Sequence, residues 1–158
     1  MYSTFATPIR SEWTTNGHVN IGGYMNIFDQ ATDALREHVG LGRAYSAAMN
    51  CGVYVVEVHA TLSRELCVGD EVRVGTLVLG VGSKRLHLFH SMLLSDGSTA
   101  ATNELLAVHV KRATGRAAPL PEHAFHLLSD MAEMHAALPL PAEICGRITL
   151  GKSRPAEA

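Results

Sequence analysis

The sequence has no Gly-x-Ser-x-Gly elbow, no P-loop and no Gly-x-Gly-x-x-Gly turn. The commonest serine-hydrolase, nucleotide-triphosphatase and dinucleotide-binding readings therefore fall away. It has only three cysteines, Cys51, Cys67 and Cys145. They lack metal-site spacing and leave one over in any disulfide scheme, so a reducing cytoplasm is expected. No apolar run approaches the ~20 residues a membrane-spanning helix needs. The N-terminus lacks a charged segment followed by an apolar core, so no signal peptide and no membrane partner are expected. A net charge of −2 provides no global basic field for nucleic acid.

What is present is the composition of an ordinary globular chain, 47% hydrophobic and 18% charged over 158 residues. That length suits one domain with a substantial core. After an extended lead-in over residues 2–13, apolar side chains recur at Tyr24, Ile27, Phe28, Ala31, Leu35 and Val39. This spacing predicts an amphipathic helix from about Gly22 to Gly40. A second short helix is expected over residues 44–49. Strand patterns then follow at residues 54–62, 71–79, 85–94 and 99–111, with turns at Gly69-Asp70, Ser95-Asp96-Gly97 and Thr114-Gly115. On the first strand Tyr54, Val56, Val58, Ala60 and Leu62 form an apolar face expected to pack on the helix, with Glu57, His59 and Thr61 opposite. A further helix is expected over residues 122–138, broken at Pro139-Leu140-Pro141. Residues 152–158 read as a loose tail.

One long helix followed by antiparallel strands predicts an α+β layer. We divide the chain into a domain over residues 1–121 and a C-terminal helix and tail, residues 122–158, packed on it or trailing from it. A single sheet on one helix leaves apolar surface uncovered, so self-association as a dimer or tetramer is expected.

The most informative stretch is Trp13-Thr14-Thr15-Asn16-Gly17-His18-Val19-Asn20-Ile21. It reads as a polar loop opening onto the N-terminus of the long helix. There the first N–H groups lack intrahelical partners and the dipole favours negative charge. Backbone N–H groups of Ile21, Gly22 and Gly23 could therefore hold a carbonyl oxygen, and the paired glycines would let a ligand come close. The same glycines could instead simply permit the turn into the helix.

Asn16-Gly17-His18-Val19-Asn20, with Tyr24 and the helix behind it, resembles the hotdog-fold acyl-CoA thioesterases, the family of 4-hydroxybenzoyl-CoA thioesterase. So do Phe28-Asp29-Gln30-Ala31-Thr32-Asp33-Ala34 and Val68-Gly69-Asp70 with the alternating residues 71–74. Lys84-Arg85-Leu86-His87-Leu88-Phe89-His90 and Gly115-Arg116-Ala117-Ala118-Pro119 look most like the betainyl-CoA thioesterase branch, which acts in carnitine breakdown. The resemblance implies a curved antiparallel sheet wrapped around one long helix, an acyl-CoA substrate, a site between subunits, thioester hydrolysis and no cofactor. It departs at one place. The family usually carries an Asp three residues before the Gly, and this chain has Thr14. No carboxylate lies between Glu12 and Asp29. Plant acyl-ACP thioesterases look similar at Asn16 and His18 and use such an Asn and His, so hydrolysis does not require that Asp.

Candidate catalytic residues are thus Asn16, to orient water or hydrogen-bond the thioester oxygen, and His18, Glu57 or Glu104, to take the water's proton. Asn20 reads as a loop or cap residue. Glu57 and His59 share a strand face, where they could also be a surface or subunit-contact pair. A cationic trimethylammonium head would want a carboxylate or aromatic faces. Trp13, Tyr24, His59 and Glu104 are the expected substrate contacts, with Glu57 and Tyr54 as further candidates for that head. Lys84, Arg85, Arg112 and Arg116 are candidates for coenzyme A phosphates, or solvated strand-end residues. Among nine histidines, His87 and His90 should face opposite ways, and His123 and His126 lack a third ligand, so no metal is expected. Two other classes stay open: an acyl-thioester binding protein without turnover, and a structural hotdog subunit.

Overall fold

The computed structural model describes residues 2–151, with side chains from Phe5 onward, so the expected tail at residues 152–158 lies outside the described residues. Strand β1 is Tyr2–Pro8, and a 3-10 turn follows at Ser11–Trp13. The short strands β2, Thr14–Thr15, and β3, His18–Val19, lead into helix α1, Ile21–His38. Helix α2 is Arg43–Met49. Strands β4, Cys51–Leu62, β5, Glu71–Val81, β6, Arg85–Leu94, and β7, Thr99–Lys111, form the long sheet. A short β8, Arg116–Ala117, and helix α3, Glu122–Ala136, complete the order.

The main sheet runs β1-β5-β6-β7-β4, with β8 on β7, and the pairings are antiparallel. Helix α1 packs on one face. Its Tyr24, Ile27, Phe28, Ala31 and Leu35 are buried, following the 3.6-residue period read from the sequence. Burying a side chain such as Ile27 or Phe28 contributes about 2 kcal/mol each. The helix ends where Gly40 takes a φ of 76°, which suits glycine.

A polar bolt also joins helix and sheet. The imidazole of His90 on β6 is fully buried between Thr32 Oγ1 of α1, at 3.0 Å, and Thr76 Oγ1 of β5, at 2.8 Å. His87, an odd number of residues away, faces the opposite side, as its position in the strand requires.

Among the described residues, strand β1 pairs with β5 as far as Thr76. Beyond that point α3 covers the free edge. It buries Ala124, Leu128 and Met131, and its His135 Nδ1 accepts the Val78 N–H at 3.0 Å. Burial pushes the His135 pKa down, in keeping with a neutral ring that accepts a bond from Val78. Residues 138–151 then fold back over the outer face of the sheet. There Glu104 Oε2 accepts the Cys145 N–H at 2.6 Å and Arg85 donates to the Leu150 carbonyl at 2.8 Å.

One expectation fails. The apolar face of the first long strand does not pack on the helix. In β4, which starts at Cys51, residues 54–62 are all exposed, including Tyr54, Val55, Val56, Val58 and Leu62. The reason is topological. β4 follows β7 at the sheet edge, past the reach of α1, and a bulge between Val55 and Glu57 interrupts its alternation.

Candidate functional site

The stretch read as a polar loop is a two-residue β-hairpin. Thr14 pairs with Val19 and Thr15 with His18. Asn16 and Gly17 form the turn with φ of 58° and 89°. Positive φ at both central residues is what a type I′ turn demands, and Asn-Gly is its preferred pair. The sequence therefore held a hairpin signal here, masked by the polarity of the stretch.

Behind the hairpin, Asn20 caps α1. Its Oδ1 accepts the Gly23 N–H at 2.9 Å and its Nδ2 donates to Thr15 Oγ1 at 3.0 Å. The Asn20 carbonyl takes the N–H groups of Gly23 and Tyr24. The N–H groups of Ile21 and Gly22 have no acceptor among the described residues. Gly23 thus differs from its two neighbours as an oxyanion donor, because its N–H is already engaged. Its lack of a side chain serves packing: a Cβ there would lie 2.7 Å from the Trp13 carbonyl oxygen and from Val19 Cγ1.

An open cavity of about 620 Å³ lies at this helix end. Asn16, His18, Ile21 and Tyr24 line it, together with Arg64 and Glu65. The last two were not anticipated from the sequence. They follow β4 in a segment with no periodicity, and long-range bonds bring them here. Tyr24 donates its hydroxyl to the Arg64 carbonyl at 2.7 Å, and the Val19 N–H reaches the Leu66 carbonyl at 2.8 Å. Burial raises the pKa of the Tyr24 hydroxyl, with the Glu65 carboxylate adding to the effect, so Tyr24 is a proton donor here. Glu65 supplies a carboxylate to the cavity that the hairpin itself lacks.

Other expected residues lie elsewhere. The Trp13 ring is buried in the core beneath the Arg10 guanidinium, 5.1 Å from its centroid. Glu57 and His59 stand exposed on β4, opposite Leu106 and Glu104 in register, and do not line this cavity within one chain. Glu104 is 0% exposed on the outer face of the sheet, where His87 Nε2 bonds to its Oε1 at 2.8 Å. Tyr54 is exposed on the same edge strand. Lys84, Arg85, Arg112 and Arg116 are exposed and lie outside the cavity.

A curved antiparallel sheet around one helix, with a polar hairpin and cavity at that helix's N-terminus, defines a hotdog protein of the thioesterase type. The sequence pattern of the thioesterase-like superfamily matches residues 10–133, and the chain belongs to that family of hydrolases, with an acyl-CoA thioesterase-like architecture. Betainyl-CoA thioesterase of Pseudomonas aeruginosa is 34% identical over 148 residues, covering 92% of each chain. A bifunctional L-carnitine dehydrogenase/betainyl-CoA thioesterase of Agrobacterium fabrum is 36% identical over 78% of this chain, which spans only 26% of that longer protein. A Staphylococcus aureus protein solved in complex with CoA shares the fold, with a TM-score of 0.84 at 23% identity, covering 96% of this chain and 98% of its own. No helix among the described residues is long and apolar enough to cross a membrane.

Proposed function

We propose that this chain is a cytoplasmic acyl-CoA thioesterase that hydrolyses a short polar acyl-CoA, with betainyl-CoA as the substrate of choice. The observation that carries the reading is the cavity at the N-terminus of α1. There Asn16, His18 and Glu65 meet a helix end whose Ile21 and Gly22 N–H groups are free. The thioester carbonyl docks on those N–H groups, which stabilise the oxyanion as it forms. Asn16 positions a water molecule and His18 takes its proton. With Thr14 in place of a carboxylate, water rather than the protein is the nucleophile. Glu65 gives a cationic acyl head an electrostatic partner. The similarity to the P. aeruginosa betainyl-CoA thioesterase supports that substrate.

The working unit is a dimer closed through β4. A long, exposed, apolar edge strand is an aggregation hazard unless something covers it. Tyr54, Val56 and Val58 are 45%, 58% and 48% exposed along it. A second copy pairing there covers this edge, and Glu57 and His59 reach a site only from such a partner. The catalytic unit is residues 1–121, with residues 122–158 as its C-terminal extension.

The test is hydrolysis of an acyl-CoA panel that includes betainyl-CoA, acetyl-CoA, a branched acyl-CoA and an aromatic acyl-CoA. The expected result is the highest kcat/KM for betainyl-CoA. Preference for an uncharged acyl group overturns the substrate assignment. Binding of CoA esters without turnover of any of them replaces the enzyme with an acyl-thioester binding protein.

A further inference from the structure

At the far end of α1 lies a second cleft that the proposed hydrolysis does not use. Fifteen residues of helix separate Arg36 from Ile21, a rise of about 22 Å. The cleft, about 320 Å³, lies between the last turns of α1, helix α2 and Arg112 beyond the end of β7. Three guanidinium groups line it, from Arg36, Arg43 and Arg112, with two carboxylates, Asp33 and Glu37.

Each carboxylate has one oxygen engaged. Asp33 holds Arg36 Nη1 at 2.7 Å, and Glu37 Oε1 accepts the Arg43 backbone N–H at 2.8 Å. A Cβ at Gly42 would overlap the Glu37 carboxylate, so glycine there lets Glu37 fold in. The guanidinium groups of Arg43 and Arg112 have no carboxylate partner among the described residues. Arg112 is nonetheless held in place: its N–H bonds to the Asn50 carbonyl at 2.9 Å, and its guanidinium lies over the bare backbone of Gly52.

Two buried polar atoms of the lining residues are also unpartnered, Arg36 Nε and the Ser46 hydroxyl. Ser46 is only 6% exposed. Buried donors are normally satisfied, and unsatisfied ones are destabilising unless a ligand or water completes them.

We propose that this cleft binds a phosphate group. Guanidinium forks match phosphate oxygens in pairs. A tetrahedral dianion offers enough acceptors for Arg43, Arg112, the Arg36 Nε–H and the Ser46 hydroxyl together. Small local shifts bring the last two, now just below the surface, into contact. The group comes either from the nucleotide end of a CoA ester or from a free phosphate ligand. The first source rests on the acyl-CoA reading and the second does not.

Calorimetry on the full chain at low salt tests this with two probes, inorganic phosphate and adenosine 3′,5′-bisphosphate. At least one should bind, more weakly as salt rises. The double variant Arg43→Gln/Arg112→Gln should lose at least tenfold in affinity with its melting curve unchanged. Ser46→Ala should melt at a higher temperature without ligand, since it removes an unpaired buried hydroxyl, and should gain less from phosphate. Tighter binding of the bisphosphate, with a raised acyl-CoA KM and unchanged kcat in the double variant, assigns the site to CoA. Equal binding of both probes with an unchanged KM assigns it to a free phosphate ligand. No binding of either probe at millimolar concentration, or equal binding by wild type and double variant, overturns the proposal. Normal acyl-CoA hydrolysis alongside that negative result leaves the thioesterase reading intact.

Discussion

His87 Nε2 lies 2.8 Å from Glu104 Oε1, and the carboxylate so held helps fasten the C-terminal segment to the outer face of the sheet through Cys145. Glu104 has no exposed surface, and its other oxygen takes the Cys145 N–H. Burial alone would raise its pKa. The bonds from Cys145 and His87 outweigh burial and hold the carboxyl below its ordinary value of 4.5. A depressed carboxyl stabilises the fold above its unfolded pKa, and that stabilisation is lost as pH falls through the folded value. Glu104→Gln should therefore cost about 1.5–3 kcal/mol at neutral pH. It should also speed proteolysis within residues 138–151. Denaturant titration and limited proteolysis check both, and unchanged cleavage would show that the segment is held by its other contacts, the Arg85–Leu150 bond among them.

His90 should make the fold acid-sensitive in a higher window. Burial lowers its pKa from 6.5 to about 4. The unfolded chain takes up a proton below pH 6.5 while the folded chain resists until about pH 4. Stability should thus fall steadily as pH drops between those values, by up to about 3 kcal/mol. Chemical unfolding at a series of pH values measures this. His90→Gln should flatten the slope, and a wild type equally stable at pH 7 and pH 4.5 would refute the assignment.

The paired glycines should separate packing from chemistry. Gly23→Ala forces a Cβ to within 2.7 Å of the Trp13 carbonyl, an immovable neighbour. A loss of about 1–3 kcal/mol is expected. At Gly22 the nearest atom is Asn20 Oδ1, at 3.2 Å, so Gly22→Ala should be milder. Melting temperatures of the two variants decide, and equal losses would mean that the helix end tolerates displacement.

Catalysis should depend on the hairpin. His18→Ala should reduce kcat by about 10²–10⁴-fold, the usual range for general-base help. His18 is exposed, so the melting temperature should hardly change. Glu65→Gln should raise KM for a cationic acyl-CoA more than for a neutral one. Full activity in His18→Ala, with a large kcat loss in Glu65→Gln or Glu57→Gln, would reassign the base.

The edge strand supplies the last prediction. Val58 is 48% exposed on β4, and Val58→Lys should block pairing of a second copy there. Light scattering should show the wild type as a dimer at micromolar concentration and the variant as a monomer, with hydrolysis lost. A monomeric, active wild type would remove the partner from the site.

Local chemistry wrote much of this protein into its sequence. The period of Tyr24, Ile27, Phe28, Ala31 and Leu35 determined α1, and the turn residues determined the bounds of β6 and β7. The opposite facing of His87 and His90 followed from strand geometry alone. Asn20 was legible as a cap and Asn16-Gly17, in principle, as a hairpin turn, because both depend on neighbours within a few residues.

Sheet order was not legible, because strand pairing joins residues far apart in the chain. β4 shows the alternation of a core strand, yet only the tertiary structure places it at an edge with its valines bare. The same holds for the buried Glu104, the core position of Trp13 and the arrival of Glu65 beside His18. Each depends on which distant backbone supplies a partner, through bonds such as Tyr24 to Arg64 and Cys145 to Glu104. Periodicity fixes which side of its own element a residue faces. What lies on that side is decided by the packing of the whole chain.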